Sequence, residues 1–276
     1  PPMANLDILF ITAAAAKPAP VLSTLDKLSA ICVHGGILPV FVITKCDLDP
    51  DGGARIAALY RKSGFSAFTL RGLGADAGGA DVSIDPEEVG ALRAFLTANL
   101  PGKTAAFAGA SGIGKSTLLN LLFPTLALTT GSISEKIERG RHTTRHVELF
   151  EADGGLVADT PGFSMLDFMR FDFMKVGDLA DAFPDFAPWL GRCRYTKCTH
   201  LCEDGCAVCE AVRRGEIERS RHDSYVELYK AGTVSMKEFA AMPYDNDILV
   251  SVHVKKTPIA ITCLSVRNSA TDFPVL

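Results

Sequence analysis

The sequence lacks an excess of positive charge, a long apolar run and a basic leader. Its 28 Lys and Arg residues face 32 Asp and Glu residues, which gives a net charge of −4. A basic field over the whole surface is therefore excluded, and contact with nucleic acid would need a local patch. No apolar run reaches the roughly 18 residues of a membrane span. The apolar stretch 6–16 has no basic lead-in and contains Asp7, unlike a signal peptide, so we expect a cytoplasmic protein.

Cysteine, by contrast, is plentiful and clustered. Five of the eight cysteines lie between Cys193 and Cys209, with His200 among them. In a cytoplasmic protein such a cluster favours a metal site over disulfide bonds. With 276 residues, 47% of them hydrophobic, the chain is long enough for about two domains with buried cores.

Short apolar strands alternate with helices through the first half of the chain. We predict strands at 6–11, 38–43, 65–70 and 104–108, helices at 21–32, 53–62, 85–99 and 117–122, and a loop at 72–81. Further along we predict strands at 147–151 and 155–158, a charged helix at 210–230 broken near Gly215, and strand-like segments at 248–253 and 259–266. This alternation is typical of an α/β fold, a mostly parallel sheet with helices on both faces.

The stretch Gly109–Ser116 fits the phosphate-binding pattern G-x-x-x-x-G-K-[S/T] between a predicted strand and a predicted helix. Glycines let backbone N–H groups surround phosphate oxygens, and the helix adds its positive N-terminal end. Lys115 can reach the β- and γ-phosphates, and the Ser116 hydroxyl can bind Mg²⁺. The predicted nucleotide-binding residues here are Gly109, Ser111, Gly112, Ile113, Gly114, Lys115, Ser116 and Thr117.

Two further motifs follow predicted strands. In Asp159-Thr160-Pro161-Gly162, which fits D-x-x-G, Asp159 can hold Mg²⁺ through water and the Gly162 N–H can meet the γ-phosphate. Thr44-Lys45-Cys46-Asp47 fits [N/T]-K-x-D, in which the aspartate accepts hydrogen bonds from guanine N1–H and the 2-amino group while Lys45 packs over the base. Each motif alone is also compatible with an ordinary turn. Asp47 nevertheless argues against the alternative of an ATP-using enzyme.

A polar segment, Gly140–Arg145, separates the phosphate loop from D-x-x-G. A switch threonine that binds Mg²⁺ belongs at this point, and we expect Thr144 rather than Thr143 because Thr144 directly precedes Arg145. The alternative is an ordinary polar loop.

The order of the motifs is unusual. In Ras-type GTPases the [N/T]-K-x-D motif, which recognises the base, follows D-x-x-G. Here the corresponding residues, Thr44–Asp47 (the base-reading segment), precede the phosphate loop. The domain is therefore expected to be circularly permuted. Because D-x-x-G then leads into the cysteine cluster, we hypothesise a mechanical link between nucleotide state and that cluster.

The pattern Cys193-x4-Cys198-x-His200-x5-Cys206 supplies three thiolates and one imidazole, which suits tetrahedral structural zinc. Cys202 and Cys209 are surplus and leave other ligand sets open. Basic residues surround the cluster, and they form either a solvated face or a surface for RNA. They are Arg192, Arg194, Lys197, Arg213, Arg214, Arg219, Arg221 and His222.

Together the motif order, the segment Arg141–Arg145, Asp159–Phe163 and the Cys/His pattern resemble one family, the ribosome small-subunit-dependent GTPase A family (RsgA, also called YjeQ or YloQ). The resemblance covers roughly 1–232. It implies a GTPase that binds GTP or GDP, Mg²⁺ and one structural Zn²⁺. It also implies action in maturation of the small ribosomal subunit, contact with that subunit and its 16S rRNA, stimulation by the subunit, and a monomer.

Applied residue by residue, the resemblance implies that Gly109–Ser116 bind the phosphates and that Lys45 and Asp47 recognise the base. It also implies that zinc is bound by Cys193, Cys198, His200 and Cys206. It carries Mg²⁺ binding onto Ser116, Thr144 and Asp159. Phe163 stands where many GTPases have a water-orienting glutamine, so His142 is the candidate for positioning water, with Lys115 and Thr144 as the other catalytic candidates. A structural or RNA-facing role is the alternative for His142.

Three departures from the family accompany the resemblance. The family usually has an N-terminal OB-fold, for which these 276 residues leave no room, so we expect the chain to be either a fragment or a shortened member. Arg71-Gly72 stands where the family has Ser-Ser or Ser-Ala near the guanine. The tail has no counterpart, so the expected domains are a GTPase domain (1–170), a mainly helical zinc-binding domain (171–235) and an unassigned tail (236–276). A zinc-bearing RNA-binding module that holds GTP with little turnover is the competing hypothesis.

Overall fold

The computed structural model describes residues 6–72, 84–110, 112–124, 147–159, 174–232 and 252–254. The strands are β1 (Ile8–Ala14), β2 (Leu38–Thr44), β3 (Ser66–Thr69), β4 (Thr104–Ala108), β5 (Val147–Ala152), β6 (Gly155–Asp159) and β7 (Val252–Val254). The helices are α1 (Leu22–His34), α2 (Pro50–Lys62), α3 (Pro86–Asn99), α4 (Lys115–Leu122), α5 (Ala207–Arg213) and α6 (Arg219–Ala231). Three short 3-10 turns, Val176–Asp178, Ala180–Ala182 and Pro184–Phe186, precede α5.

The described strands form one sheet in the order β3-β2-β1-β4-β6-β5-β7. Neighbouring strands are parallel except β5 and β6, which form an antiparallel hairpin. The prediction of an α/β fold with a mostly parallel sheet is thus confirmed. The central strand β4 lies between β1, which precedes it in sequence, and β6, which follows it. The segments after β2, β4 and β6 therefore emerge at one edge of the sheet, where parallel sheets bind ligands.

Helices cover both faces of the sheet, as predicted. One face packs Leu9, Ile11, Phe41 and Ile43 of the strands against Leu25, Leu28, Ala57 and Tyr60 of α1 and α2. The other face packs Ile8, Phe10, Val40 and Phe107 against Leu92, Leu96, Leu118 and Leu119 of α3 and α4. Successive residues of a strand point to opposite faces. Because both faces are buried, these strands are apolar without interruption.

The starts of two helices follow from their capping residues. α3 begins as predicted: the Asp85 carboxylate accepts a hydrogen bond from the Glu87 N–H at 2.9 Å. For α2 the predicted start at Gly53 was wrong, because Asp49 caps the helix by accepting from the Gly52 N–H at 2.9 Å and Pro50 is its first residue. A Cβ at Gly53 would lie 2.5 Å from Cys46 Sγ, so glycine lets α2 approach the predicted base-reading segment.

Residues 174–232 pack around a core of their own. Its buried members include Leu179, Phe183, Phe186, Val208, Ile217 and Tyr225. The predicted break of the charged helix is confirmed, because α5 and α6 are separate and Gly215 between them has φ of +71°. Ala30 of α1 belongs to the same apolar cluster, so this part of the chain is docked on the sheet domain through α1.

The predicted loop at 72–81 lies outside the described residues beyond Gly72, as do the domain boundary near 170 and most of the tail. The described part of the tail is β7, which pairs in parallel with β5 at the edge of the sheet. None of the described helices is both long and apolar enough to cross a membrane.

Candidate nucleotide site and metal cluster

The phosphate-loop sequence forms a tight turn between β4 and α4. Gly109 is required for close packing, since a Cβ there would lie 2.3 Å from both Thr12 Oγ1 and Ile113 Cδ1. Gly112 and Gly114 have φ of +76° and +91°, a conformation that favours glycine. Gly114 is also the N-cap of α4, so the loop ends at the positive end of a helix. Close packing at Gly109 and a left-handed backbone at Gly112 and Gly114 thus explain why the motif has glycine at these positions.

The predicted phosphate-binding side chains lie at the mouth of this turn. Lys115 Nζ donates hydrogen bonds to the Gly109 and Ala110 carbonyls, both at 2.7 Å, so its ammonium group spans the loop. Ser116 is exposed in the first turn of α4, where its hydroxyl is accessible to a metal ion. Ser111 is outside the described residues.

The predicted guanine-reading segment is hydrogen-bonded directly to the phosphate loop. Thr44, at the end of β2, is fully buried, and its hydroxyl donates to the Ile113 carbonyl at 2.7 Å. The Ala13 carbonyl lies farther away, at 3.3 Å. Sequence analysis proposed Thr44 as a nucleotide-binding residue, whereas the described contacts of its hydroxyl are with the protein. Thr44 therefore fixes the distance between the two halves of the site.

Lys45 and Asp47 follow Thr44 at the same edge of the sheet. Lys45 has φ of +56°, and its Nζ donates to the Lys17 carbonyl at 2.8 Å. Asp47 is half-buried, and its Oδ1 accepts a hydrogen bond from the Gly72 N–H at 2.8 Å. Sequence analysis treated Gly72 only as a departure from the family. Its contact uses a backbone N–H, which leaves no signal in residue type.

On the predicted γ-phosphate side of the site, the structure describes only the backbone of Asp159. Asp159 ends β6, which is parallel to β4, so its backbone lies at the same edge of the sheet as the phosphate loop. The side chain of Asp159 is outside the described residues, as are Gly162, His142 and Thr144. Their predicted roles stay predictions.

The four predicted zinc ligands converge in residues 193–206. Their ligand atoms, from Cys193, Cys198, His200 and Cys206, all lie within 4.8 Å of one another. His200 Nδ1 is 3.5 Å from Cys193 Sγ and 3.6 Å from Cys206 Sγ, and the two sulfurs are 3.9 Å apart. Tetrahedral zinc with its usual bond lengths places two sulfurs about 3.8 Å apart and sulfur and nitrogen about 3.5 Å apart. The distances among Cys193, His200 and Cys206 therefore match tetrahedral zinc, and Cys198 lies near enough to supply the fourth ligand.

Neighbouring groups hold this cluster in place. The Ala207 N–H donates to Cys193 Sγ and the Cys209 N–H donates to Cys206 Sγ, both at 3.4 Å. Burial raises the pKa of Cys198 to about 12 and that of Cys206 to about 11, so these thiols are neutral until a metal displaces their protons. The backbone N–H groups are positioned to stabilise the resulting thiolates.

The loop that carries His200 is organised by Glu203. Its carboxylate accepts hydrogen bonds from the backbone N–H groups of Thr199, Leu201 and Cys202, at 2.7, 3.0 and 3.2 Å. Burial opposes ionisation of Glu203, but the hydrogen bonds from Thr199 and from backbone N–H groups outweigh it and lower the pKa of Glu203 to about 2. Glu203 thereby supports the left-handed backbone of His200, whose φ is +60°. Sequence analysis missed this residue.

The surplus cysteines are in different positions. Cys202 is exposed and is not part of the described metal-ligating cluster. Cys209 is buried, and its Sγ lies 3.5 Å from the His200 carbonyl and 3.8 Å from His222 Nε2. Cys209 therefore packs against the backbone of the ligand His200 and is not part of the described metal-ligating cluster.

Two of the basic residues predicted to form a solvated or RNA-binding surface, Arg221 and His222, are buried. For these two residues the prediction was wrong. Arg221 is fully buried, and its guanidinium donates to Asp26 of α1 at 2.7 Å and to Asp185 at 2.9 Å. It also lies over the Phe183 ring, 4.5 Å from its centroid. His222 is 9% exposed, and its Nε2 lies 2.7 Å from the His200 carbonyl. Arg221 thus joins the zinc-bearing part to the sheet domain.

Comparison with known proteins shows which family this chain resembles. The family model described as RsgA GTPase matches residues 1–169. A protein of Ruminiclostridium cellulolyticum named small ribosomal subunit biogenesis GTPase RsgA is 38% identical over 232 residues, which cover 84% of this chain and 70% of that protein. The Bacillus subtilis protein of the same name is 38% identical over 233 residues, covering 83% of this chain and 72% of its own length.

Two crystal structures resemble the fold. YloQ, described as a circularly permuted GTPase, matches with a TM-score of 0.58 and 31% identity over 87% of this chain and 71% of its own. YjeQ from Thermotoga maritima matches with a TM-score of 0.62 and 28% identity over 84% of this chain and 73% of its own. The circular permutation predicted from motif order is thus confirmed. The family model, the curated relatives and the solved structures agree with the phosphate loop after the central strand β4. The chain belongs to the RsgA GTPase family.

Proposed function

We propose that this GTPase binds GTP between the loop 109–116 and the segment 44–47, hydrolyses it to GDP and phosphate, and acts in biogenesis of the small ribosomal subunit. The observation that carries the site assignment is the 2.7 Å hydrogen bond from the buried Thr44 hydroxyl to the Ile113 carbonyl. It fixes the base-reading and phosphate-binding segments at one separation, so that a single nucleotide can contact both.

The described residues supply positive charge and donors where phosphate charge develops. Lys115 already lies at the loop mouth and would face the β- and γ-phosphates, while the glycine turn and the start of α4 add backbone donors. Ser116, with Asp159 and Thr144, would hold Mg²⁺, which neutralises charge on the phosphates when bound. His142 is our candidate for positioning the attacking water. Because no glutamine follows D-x-x-G, we expect slow turnover without a partner.

The cluster of Cys193, Cys198, His200 and Cys206 would hold one structural Zn²⁺. All four positions of a tetrahedral ion would be filled by protein atoms, which leaves no open position for a substrate. Its proposed role is to fold the loop-rich segment 193–206.

We also propose that the zinc-bearing part contacts ribosomal RNA in the cytoplasm and that the chain acts as a monomer. The support for the RNA contact is a set of exposed arginines that lie close to aromatic rings. Arg192 and Arg214 lie 6.0 and 5.3 Å from the Trp189 ring centroid, and Arg194 lies 5.6 Å from that of Tyr195. Tyr195 is 51% exposed. Arginine and aromatic faces together suit phosphates and unstacked bases.

The test of turnover is phosphate release from GTP, with and without purified small ribosomal subunits. We expect a low basal rate, a strong increase with subunits, and a loss of about 100-fold or more in Lys115→Ala. Lys103→Ala, on the opposite edge of the sheet at the start of β4, is the matched control and should keep the wild-type rate. If neither condition gives release and Lys115→Ala still binds subunits, the chain is a zinc-bearing RNA-binding module instead.

The test of the RNA surface is the double variant Arg192→Ala/Arg194→Ala. It should weaken binding to small subunits and reduce the dependence of binding on salt concentration, because phosphate contacts release counterions. Arg55→Ala, an exposed arginine on α2, is the control and should bind like wild type. Equal binding by all three proteins would refute the proposed surface.

A further inference from the structure

The turn after β3 lies directly against the predicted base-reading aspartate. Backbone pairing continues beyond the strands, since the Leu70 N–H donates to the Ile43 carbonyl at 2.8 Å and the Cys46 N–H donates to the Leu70 carbonyl at 3.1 Å. Gly72 then turns with φ of +74°, and its N–H donates to Asp47 Oδ1 at 2.8 Å. The orientation of the Asp47 carboxylate therefore depends on where this turn places one N–H group.

The turn is held in its place by Glu88, from a different element. The Arg71 N–H donates to Glu88 Oε2 at 2.9 Å, and Arg71 Nε lies 3.5 Å from Glu88 Oε1. The Thr69 hydroxyl is also 3.5 Å from Oε1. The Glu88 side chain is only 16% exposed, whereas that of Arg71 is 55% exposed. The less exposed carboxylate thus fixes the backbone of the residue next to Gly72.

The position of Glu88 in α3 explains why it is available for this contact. It is the third residue of the helix after the Asp85 cap, where a glutamate commonly reaches back to the N-cap N–H. Here its carboxylate contacts Thr69 at the end of β3 and the backbone N–H of Arg71 in the turn that follows. Asp85 caps the helix by accepting from the Glu87 N–H. Helix capping and support of the turn are therefore carried by two different carboxylates.

We propose that Glu88 is a positioning residue for guanine recognition: it fixes the turn Arg71–Gly72, and the Gly72 N–H orients Asp47 toward the base. The inference rests on the proposed role of Asp47 as the residue that binds guanine. Guanine offers two parallel donors, N1–H and the 2-amino group, and a carboxylate meets both only when its plane is fixed. In this chain a backbone N–H and a glutamate from α3 provide that constraint.

The experiment compares the dissociation constants of GDP and inosine diphosphate, which lacks the 2-amino group. For the wild-type chain we expect GDP to bind about 10-fold more tightly, the usual effect of one hydrogen bond to a charged group. Asp47→Ala should bring the ratio close to about 1. Glu88→Ala should lower the ratio to about 2–3, while Glu88→Gln, which keeps an acceptor for the Arg71 N–H, should retain an intermediate ratio.

Glu87→Ala is the matched control, because Glu87 is exposed one position earlier in the same helical turn. It should keep the wild-type ratio. If Glu88→Ala weakens both nucleotides equally, or changes only the melting temperature, Glu88 is merely structural and the proposal is overturned. If Asp47→Ala leaves the ratio unchanged, base recognition by Asp47 fails, and that result is distinct from a failure confined to Glu88.

Discussion

The metal-ligand cluster and the phosphate loop are both short turns that gather polar groups, yet they prepare those groups differently. In the cluster, three sulfurs and one nitrogen already lie within 4.8 Å of one another. In the loop, Lys115 spans the mouth and donates to two loop carbonyls, while Ser116 faces solvent. One site has a complete set of four protein ligands, two of them buried, and the other is open toward a ligand that must enter and leave.

This difference separates stability from turnover. A site whose four ligands all come from the protein forms only when the chain folds around the ion, so the ion is part of the folded state. An open loop shaped by glycines folds without its ligand, because its packing comes from β4, α4 and Thr44. Removal of the metal should therefore unfold the zinc-bearing part of the chain, whereas removal of side chains of the phosphate loop should abolish GTP hydrolysis.

The largest effect is expected from loss of zinc. Cys206→Ala or a strong chelator should unfold the region 174–232, because structural zinc sites contribute about 10 kcal/mol or more to folding. Binding of GDP should persist, since the loop 109–116 draws no ligand from the cluster. Zinc content, circular dichroism and GDP affinity measure the three outcomes.

Cys202→Ala is the matched control for that experiment, because Cys202 is exposed and outside the described cluster. It should keep one zinc per chain and the wild-type melting temperature. A Cys206→Ala protein that retains zinc and unfolds like wild type would show that the two sites do not differ as described.

The next effect concerns the buried joint between the two parts. Arg221→Ala leaves the carboxylates of Asp26 and Asp185 buried and unpaired, which costs about 3–5 kcal/mol. Burial raises the pKa of Asp26 even though Arg221 opposes that shift, so the cost of burying this charge is already large. Chemical unfolding measures the free energy. Arg219→Ala, on the same helix with a side chain 86% exposed, should change it by less than about 0.5 kcal/mol.

Arg221 also shows where sequence analysis failed. A basic residue in a charged helix predicts a solvated or RNA-facing side chain, but the partner that buries Arg221 is Asp26, 195 positions away. Burial of a charge depends on such distant partners, and one sequence does not reveal them. The loop, the base-reading segment and the Cys/His pattern were found because their chemistry needs fixed residue types at short spacing.

Two other misses have related causes. The predicted start of α2 at Gly53 was wrong because Asp49-Pro50, a capping residue followed by proline, begins the helix three residues earlier. The contact between Gly72 and Asp47 uses a backbone N–H, which every residue except proline supplies. Fold class and permutation were predictable from strand pattern and motif order, whereas supporting contacts required the structure.

A smaller effect is expected at the joint inside the nucleotide site. Thr44→Val preserves shape but leaves the Ile113 carbonyl without the Thr44 hydroxyl, which costs about 1–3 kcal/mol because the site is buried. GDP affinity should fall with stability, since the base-reading segment and the loop lose a shared bond. Thermal unfolding and GDP titration measure both. Thr97→Val, exposed on α3, is the control, and equal behaviour of the two variants would contradict the argument.

The smallest effect is expected at the exposed edge of the contact between the two parts. Lys62 of α2 donates to the Gly215 carbonyl and pairs with Glu218, but its side chain is 42% exposed and that of Glu218 is 38% exposed. Water and salt screen such a pair, so Lys62→Ala should cost less than about 1 kcal/mol. Chemical unfolding at low and high salt measures it, and the difference from wild type should shrink as salt rises. A cost equal to that of Arg221→Ala would mean that the joint depends on its rim rather than on the buried arginine.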